Sequence, residues 1–186
     1  MFLRLAIAAL WVIFIIYWWV SAIGNKKYVA SSKRRGLRIR IVFAIVIWLA
    51  FLDPHLRYFV MHHVLTTNPA LRLLGVILCA AGIGFAIWAR VHIGRNWGVP
   101  MSMREGHELV TTGPYRFVRH PIYSGLLLAM LGSELAVGAW SLVMLVYCGV
   151  YFFISAKLEE GTMMQQFPGQ YAEYRRRTRG MILPRF

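Results

Sequence analysis

The sequence predicts an all-α protein, a multi-pass integral membrane helical bundle of about five spans in one domain over 1–186, with a polar loop and a C-terminal helix on one side. Three observations predict it. Hydrophobic residues make up 59% of the chain and its mean hydropathy is +0.56, above what water-soluble domains carry. The apolar residues form long runs with few or no charges. The Lys and Arg residues fall in blocks between those runs. A net charge of +14 would also suit a nucleic-acid partner. The distribution argues against one, because the aromatic residues lie inside the apolar runs and are not interleaved with basic residues as stacking platforms.

The first element is a helix over about 2–23, charge-free from Leu5 to Val20 and carrying Trp11, Trp18 and Trp19, long enough to cross a bilayer. A cleaved signal sequence competes, with Val20-Ser21-Ala22 as a small-residue cleavage site. The block after it, Lys26, Lys27, Lys33, Arg34, Arg35, Arg38 and Arg40, resists translocation, so the segment is read as a retained span with its N-terminus outside. A second span over 38–60 requires Asp53 and Arg57 to pair at i, i+4 across the far interface. A third covers 71–93, where Ala80 and Gly84 form a small-xxx-small pair that permits close helix packing. Runs at 122–135 and 137–154, separated by Gly132, Ser133, Glu134 and Gly138, predict a tight helical hairpin. This arrangement puts the 24–40 loop, the 94–121 segment and a C-terminal helix at 155–178 on one side. That side holds nearly all the basic residues, against Arg4, Arg57 and Arg72 on the other. It is therefore cytoplasmic, and the net charge reflects topology.

Cys79 and Cys148 lie in apolar runs, and neither has a second ligand at metal-binding spacing; they read as small buried apolar residues. His62-His63 reads as an interfacial loop feature, and no metal is expected. The residue types useful for binding are concentrated between His92 and Gly125 and after Ser155. Gly113-Pro114 is a turn signal, and Pro121 suits the first turn of the following helix. Arg119 and His120 then sit at a helix N-terminus, where free N–H groups favour an anion. On residue types alone, a bound carboxylate and a lipid phosphate fit equally. Beyond Ser155, Leu158, Met163 or Met164, Phe167, Tyr171 and Tyr174 recur at helical spacings. Glu159 and Glu160 at the start of that stretch read either as structural ion pairs or as site residues.

The run His107-Glu108-Leu109-Val110, then Tyr115, then Arg119-His120-Pro121-x-Tyr123-x-Gly125, together with the Glu159-Glu160 pair followed by Phe167, Tyr171 and Tyr174, resembles the isoprenylcysteine carboxyl methyltransferases and related membrane methyltransferases over about the last half of the chain. The resemblance implies S-adenosylmethionine as cofactor and a membrane lipid or a lipidated or amphiphilic acceptor entering from the bilayer. It implies cofactor contacts from His107, Glu108, Leu109, Val110, Tyr115, His120, Pro121, Ile122, Tyr123 and Glu159, candidate catalytic roles for Arg119 and Glu160, and a substrate contact at Ser155. Three departures fall on the substrate side. Ser155 stands where the family has an Arg, Gly161 interrupts the acidic run, and Phe167-Pro168-Gly169 replaces a Phe-Gly pair. The nearest base, Lys157, is displaced by about 200° around a helix. A nicotinamide-dependent reductase of the sterol-reductase kind would carry an acid just after Tyr-x-Gly, where this chain has Leu126. A non-catalytic lipid-binding scaffold is the remaining alternative, and Ser155 is the residue that keeps it open.

Overall fold

The computed structural model describes residues 1–23, 41–45, 48, 52–55, 58, 66–97, 108–138 and 141–181. Within them the chain is helical and has no strand. The helices are α1 (Phe2–Ala22), α2 (Pro69–Ile93), α3 (Pro121–Val137), α4 (Ser141–Gln166) and α5 (Pro168–Arg177), with short 3-10 turns at Gly94–Asn96 and Gly113–Arg116. Both α1 and α2 are long and apolar enough to cross a membrane, and α3 is a shorter apolar helix. The 21 residues of α1 rise about 31 Å, the thickness of a hydrocarbon core. Its Ile13, Ile16, Trp19 and Val20 are exposed, whereas Ile7 and Phe14 are buried, with Trp11 and Trp18 packed on the same core. The spacing 7, 11, 14, 18 is one stripe of a helix, so α1 turns a single face to the bundle and the others outward.

Asn68 starts α2. Its Oδ1 accepts from the Ala70 and Leu71 N–H groups at 2.9 and 3.4 Å, and Pro69 occupies the first turn, where its missing N–H costs nothing. The bundle is built on the packing of α2 against α3, which glycines allow. A methyl group placed on Gly82 would lie 2.5 Å from the Ala129 nitrogen and the Gly125 oxygen, and one on Gly132 would lie 2.4 Å from the Cys79 nitrogen. Gly75, Cys79, Gly82 and Ala86 on α2 thus meet Gly125, Ala129, Gly132 and Ala136 on α3 almost backbone to backbone. The predicted Ala80–Gly84 pair is not the contact. Ala80 is exposed, and a methyl on Gly84 would meet nothing within 4 Å, because the seam runs along a neighbouring face of the same helix.

Two expectations shift in register. Gly132, Ser133 and Glu134 do not form the turn between the last two apolar runs; all three are buried inside α3, and the helix ends at Gly138 in the left-handed conformation (φ 67°, ψ 38°). No new helix starts at 155: α4 continues from Ser141 to Gln166, since a lone Gly161 costs only about 1 kcal/mol in a helix. The break falls at Phe167, where Pro168 cannot continue α4 and instead opens α5. Most of the predicted 38–60 span lies outside the described residues. Within it, residues 41–45 are helical, and the Phe43 ring packs on Tyr147 and Tyr151 of α4 with centroids 5.0 and 4.9 Å away.

Alanine ordinarily gains about 1 kcal/mol over glycine in a helix, but at Gly82 and Gly132 the added carbon strikes backbone that cannot step aside. Gly82→Ala and Gly132→Ala are expected to destabilise the protein by about 1–3 kcal/mol, and Gly84→Ala to leave stability unchanged or slightly raised, all read from thermal denaturation in detergent.

Candidate functional site

The segment before α3 has little regular structure of its own and is held by partners distant in sequence. Gly113 takes a positive φ of 58°, and the His92 ring lies where a side chain would be, so only glycine fits. His92 Nε2 and Thr112 Oγ1 are 2.8 Å apart. The Tyr174 hydroxyl of α5 donates to the Tyr115 carbonyl at 2.6 Å. Val118 pairs in parallel with Arg179, and the Arg119 and His120 N–H groups donate to the carbonyls of Arg179 and Gly180 at 2.8 and 2.9 Å. The tail after α5 therefore straps down the residues that open α3, and Met181 within it is buried.

A charged cluster lies beneath the strap. Arg119 Nε donates to Glu160 Oε1 at 2.7 Å, with 1% and 4% of the two side chains exposed, and Arg119 also donates to the carbonyls of Arg175 and Thr178. Arg175 Nε stands 3.4 Å from the other Glu160 oxygen. His120 sits between two carboxylates, Nε2 at 3.4 Å from Glu160 and Nδ1 at 3.4 Å from Glu159. Glu159 accepts from the Tyr123 hydroxyl at 2.6 Å. The Tyr123 ring is stacked between His120 and Phe152, with centroids 5.6 and 4.9 Å away. Burial by itself drives the His120 pKa down, but hydrogen bonds to Glu159 and Glu160 and their charges outweigh it and leave the pKa raised. Burial likewise pushes Glu160 up, and His120 and Arg119 overcome it, leaving that carboxyl below its usual range.

The cluster forms the polar end of a cavity of about 420 Å³, a size typical of ligand sites. Glu108, Leu109 and Val110 line it from the loop, Tyr115 from the 3-10 turn, Arg119 and His120 from the strapped segment, Pro121, Ile122 and Tyr123 from the first turn of α3, and Glu159 from α4. His107 lies outside the described residues. Glu160 does not line the cavity; it holds Arg119 and His120 from behind. Ser155 is fully buried and also off the cavity, and its hydroxyl has no hydrogen-bond partner among the described residues.

Sequence reasoning missed the far wall. Phe14 and Trp18 of α1 line the cavity, together with Trp97, Phe152 and Met163. Trp18 meets Trp97 edge to face at 5.1 Å. The buried Arg90 holds that corner, with its guanidinium 4.7 Å from the centre of the Trp97 ring and donating to the carbonyls of Gly94 and Ser21. A tryptophan near the C-terminal end of the first apolar run is the only trace of this in the sequence, where it reads equally as an interfacial anchor.

The family model for phospholipid methyltransferases matches residues 71–170, more than half of the chain, and the chain belongs to that family. Curated relatives include a protein-S-isoprenylcysteine O-methyltransferase of Schizosaccharomyces pombe, 30% identical over 48% of this chain and 39% of that protein. The cobalt-zinc-cadmium resistance protein CzcN of Cupriavidus metallidurans is 34% identical over 60% of this chain and 48% of that protein. A methanethiol S-methyltransferase of Pseudomonas deceptionensis is 37% identical over 38% of this chain and 26% of that protein. Each match spans about half or less of the relative's length. The similarity first read between His107 and Gly125 is thus a family relationship, and the matched region holds the strapped segment, α3 and the Glu159-Glu160 pair.

Removing one partner of a buried ion pair leaves the other uncompensated, so Glu160→Ala is expected to destabilise the protein by about 3–5 kcal/mol in chemical denaturation. The pH dependence follows from the shifted groups. The stabilisation from His120 is fully present below its ordinary value near 6.5 and is lost as pH rises through its raised value. That from Glu160 is present above the ordinary Glu value and is lost as pH falls through its lowered one. The melting temperature is therefore expected to be highest between the two and to fall on the alkaline side; His120→Gln should flatten the alkaline limb and leave the acid limb in place.

Proposed function

We propose that the protein is an integral membrane methyltransferase that binds S-adenosylmethionine in this cavity and methylates a lipidic or amphiphilic acceptor at the cytoplasmic face. The observation that carries the reading is the cavity itself: every described residue expected at the cofactor, from Glu108 to Glu159, lines one space. Its donor set suits a zwitterionic amino acid joined to a nucleoside. The first intrahelical bond of α3 is made by the Ser124 N–H, so the Ile122 and Tyr123 N–H groups are free to meet a carboxylate beside His120, whose pKa the two neighbouring carboxylates raise. Glu159 accepts from amine or ribose hydroxyl groups, and the faces of Tyr115 and Tyr123 suit adenine or a sulfonium.

When bound, S-adenosylmethionine supplies an electrophilic methyl group on a sulfur that departs neutral. The protein then has to orient, exclude water and hold charge in place, and it needs no nucleophile–base pair of its own. In this reading Arg119 and Glu160 are positioning residues. They set the start of α3 and the orientation of His120 without touching the reacting atoms. The names of the relatives support methyl transfer to oxygen or sulfur. The membrane topology belongs to the proposal as well: about five spans, N-terminus outside, and the site on the side of the basic blocks.

Calorimetry in detergent tests the cofactor. S-adenosylhomocysteine is expected to bind, and His120→Ala or Glu159→Ala to weaken it by about tenfold or more, one charge-assisted hydrogen bond's worth. Binding of NADPH without binding of S-adenosylhomocysteine would sink the reading in favour of a reductase, and binding of neither would favour a scaffold.

A further inference from the structure

We propose that the outer face of the strapped segment, Arg116 and Phe117 beside the arginines at the end of α5, docks on the anionic headgroups of the bilayer that holds the bundle, and that docking raises the affinity of the cavity by holding the strap in place. The proposal rests on the membrane reading above, and one of its two readouts rests on the cofactor reading.

The strap lies where the apolar helices end. Arg90, near the end of α2, donates to the Ser21 carbonyl near the end of α1, and His92 of α2 meets Thr112 of the loop that leads to α3. The ends of α1 and α2 and the approach to α3 therefore share one level. Both α1 and α2 are long and apolar enough to cross a membrane; in the membrane reading, lipid headgroups lie at that level. Phe117 stands four residues before the start of α3 and is 57% exposed, with the Arg116 guanidinium 5.4 Å from the centre of its ring. An exposed aromatic ring beside a cation suits the boundary between hydrocarbon and headgroups.

Charge points to the partner. Val118 pairs with Arg179, which brings Arg116 and Phe117 alongside the end of α5. Arg116, Arg176 and Arg179 are exposed, and no ion pair among the described residues reaches them; Arg177 is paired with Glu173. Outward cations on two adjacent stretches of chain attract an anionic lipid surface, whose phosphates and carboxylates are free to diffuse to whichever guanidinium faces them. Phe117 selects the bilayer over an acidic peptide. Its ring is taken up at the edge of the hydrocarbon, whereas a polyanionic chain offers it no apolar surface.

The docking face and the site share one backbone. The Arg119 guanidinium donates to the carbonyls of Arg175 and Thr178, and the Arg119 and His120 N–H groups donate to those of Arg179 and Gly180. A surface that fixes the end of α5 fixes these carbonyls, and they in turn hold Arg119 and His120, which line the cavity. Arg175 belongs to both sides: its Nε stands 3.4 Å from Glu160 Oε2 while 44% of its side chain is exposed. By linkage, the factor by which docking favours the fixed strap is gained by any ligand that needs His120 in place, and the ligand returns the same factor to docking.

The test uses the whole protein in nanodiscs of phosphatidylcholine alone or of an equal mixture of phosphatidylcholine and phosphatidylserine. In the mixed discs, deuterium exchange is expected to slow at the amides of residues 175–181, and S-adenosylhomocysteine to bind about fivefold more tightly by calorimetry. High salt should abolish both differences. The double variant Arg116→Gln, Arg176→Gln should lose both, while in phosphatidylcholine discs its affinity for S-adenosylhomocysteine stays within about twofold of the unaltered protein. Phe117→Ser, which keeps every charge, should weaken the lipid effect. Equal exchange in the two discs overturns docking, and so does a double variant that responds to phosphatidylserine as the unaltered protein does. Slowed exchange with unchanged affinity overturns the coupling to the cavity. The same response to polyglutamate or inorganic phosphate added to phosphatidylcholine discs overturns the bilayer as partner in favour of a soluble anion. If S-adenosylhomocysteine binds in neither disc, the cofactor reading and the coupling fall together, and exchange alone decides docking.

Discussion

The buried pairing of Arg119 with Glu160 is the contact on which the site depends. Two charges taken out of water are tolerated only when their remaining hydrogen-bonding capacity is used. Here Arg119 also donates to the carbonyls of Arg175 and Thr178, and Glu160 also faces His120 and Arg175. One pair therefore joins the start of α3, the C-terminal half of α4 and the end of α5. The order continues outward: His120 is set between Glu160 and Glu159, Glu159 takes the Tyr123 hydroxyl, and Tyr123 stacks on Phe152. A change at Glu160, which does not itself reach the cavity, is felt across its polar wall.

The membrane half supplies the second constraint. Close contact of α2 with α3 through Gly75, Gly82, Gly125 and Gly132 leaves no room for side chains between them, so the cavity opens beside the pair, under α1. The Trp11 indole donates to Ser133 of α3 at 2.9 Å, and Arg90 joins α2 to the end of α1 through the Ser21 carbonyl. These contacts hold Phe14 and Trp18 against the site. The result is a space lined by charged side chains at the start of α3 and by aromatic side chains of α1.

Much of this was legible in one dimension. The long apolar runs marked α1 and α2 because a helix crossing lipid must hide its backbone and face its side chains to hydrocarbon, and that demand falls on every residue in turn. The residues of the polar end were legible as a motif, since Arg119-His120-Pro121-x-Tyr123 is local and its spacing follows from one helix start. The seam between α2 and α3 was misplaced to Ala80 and Gly84, since small residues occur on more than one face and only the partner helix selects among them. The break before α5 was obscured because Glu159 and Glu160 resemble the start of a new element, whereas α4 runs through them to Phe167.

The sequence by itself determined the apolar character, the helical class, the family and the residue types gathered at the polar side of the cavity, because each of these depends on composition or on spacing within a few turns. Only the tertiary structure decided that the tail after α5 straps the loop before α3, that Glu160 works from behind the cavity wall, that Ser155 lies off it, and that Phe14 and Trp18 of the first helix line the same cavity. Those outcomes join residues some 40 to more than 100 positions apart. Local periodicity carries no information about which distant faces will meet; packing in three dimensions settles that.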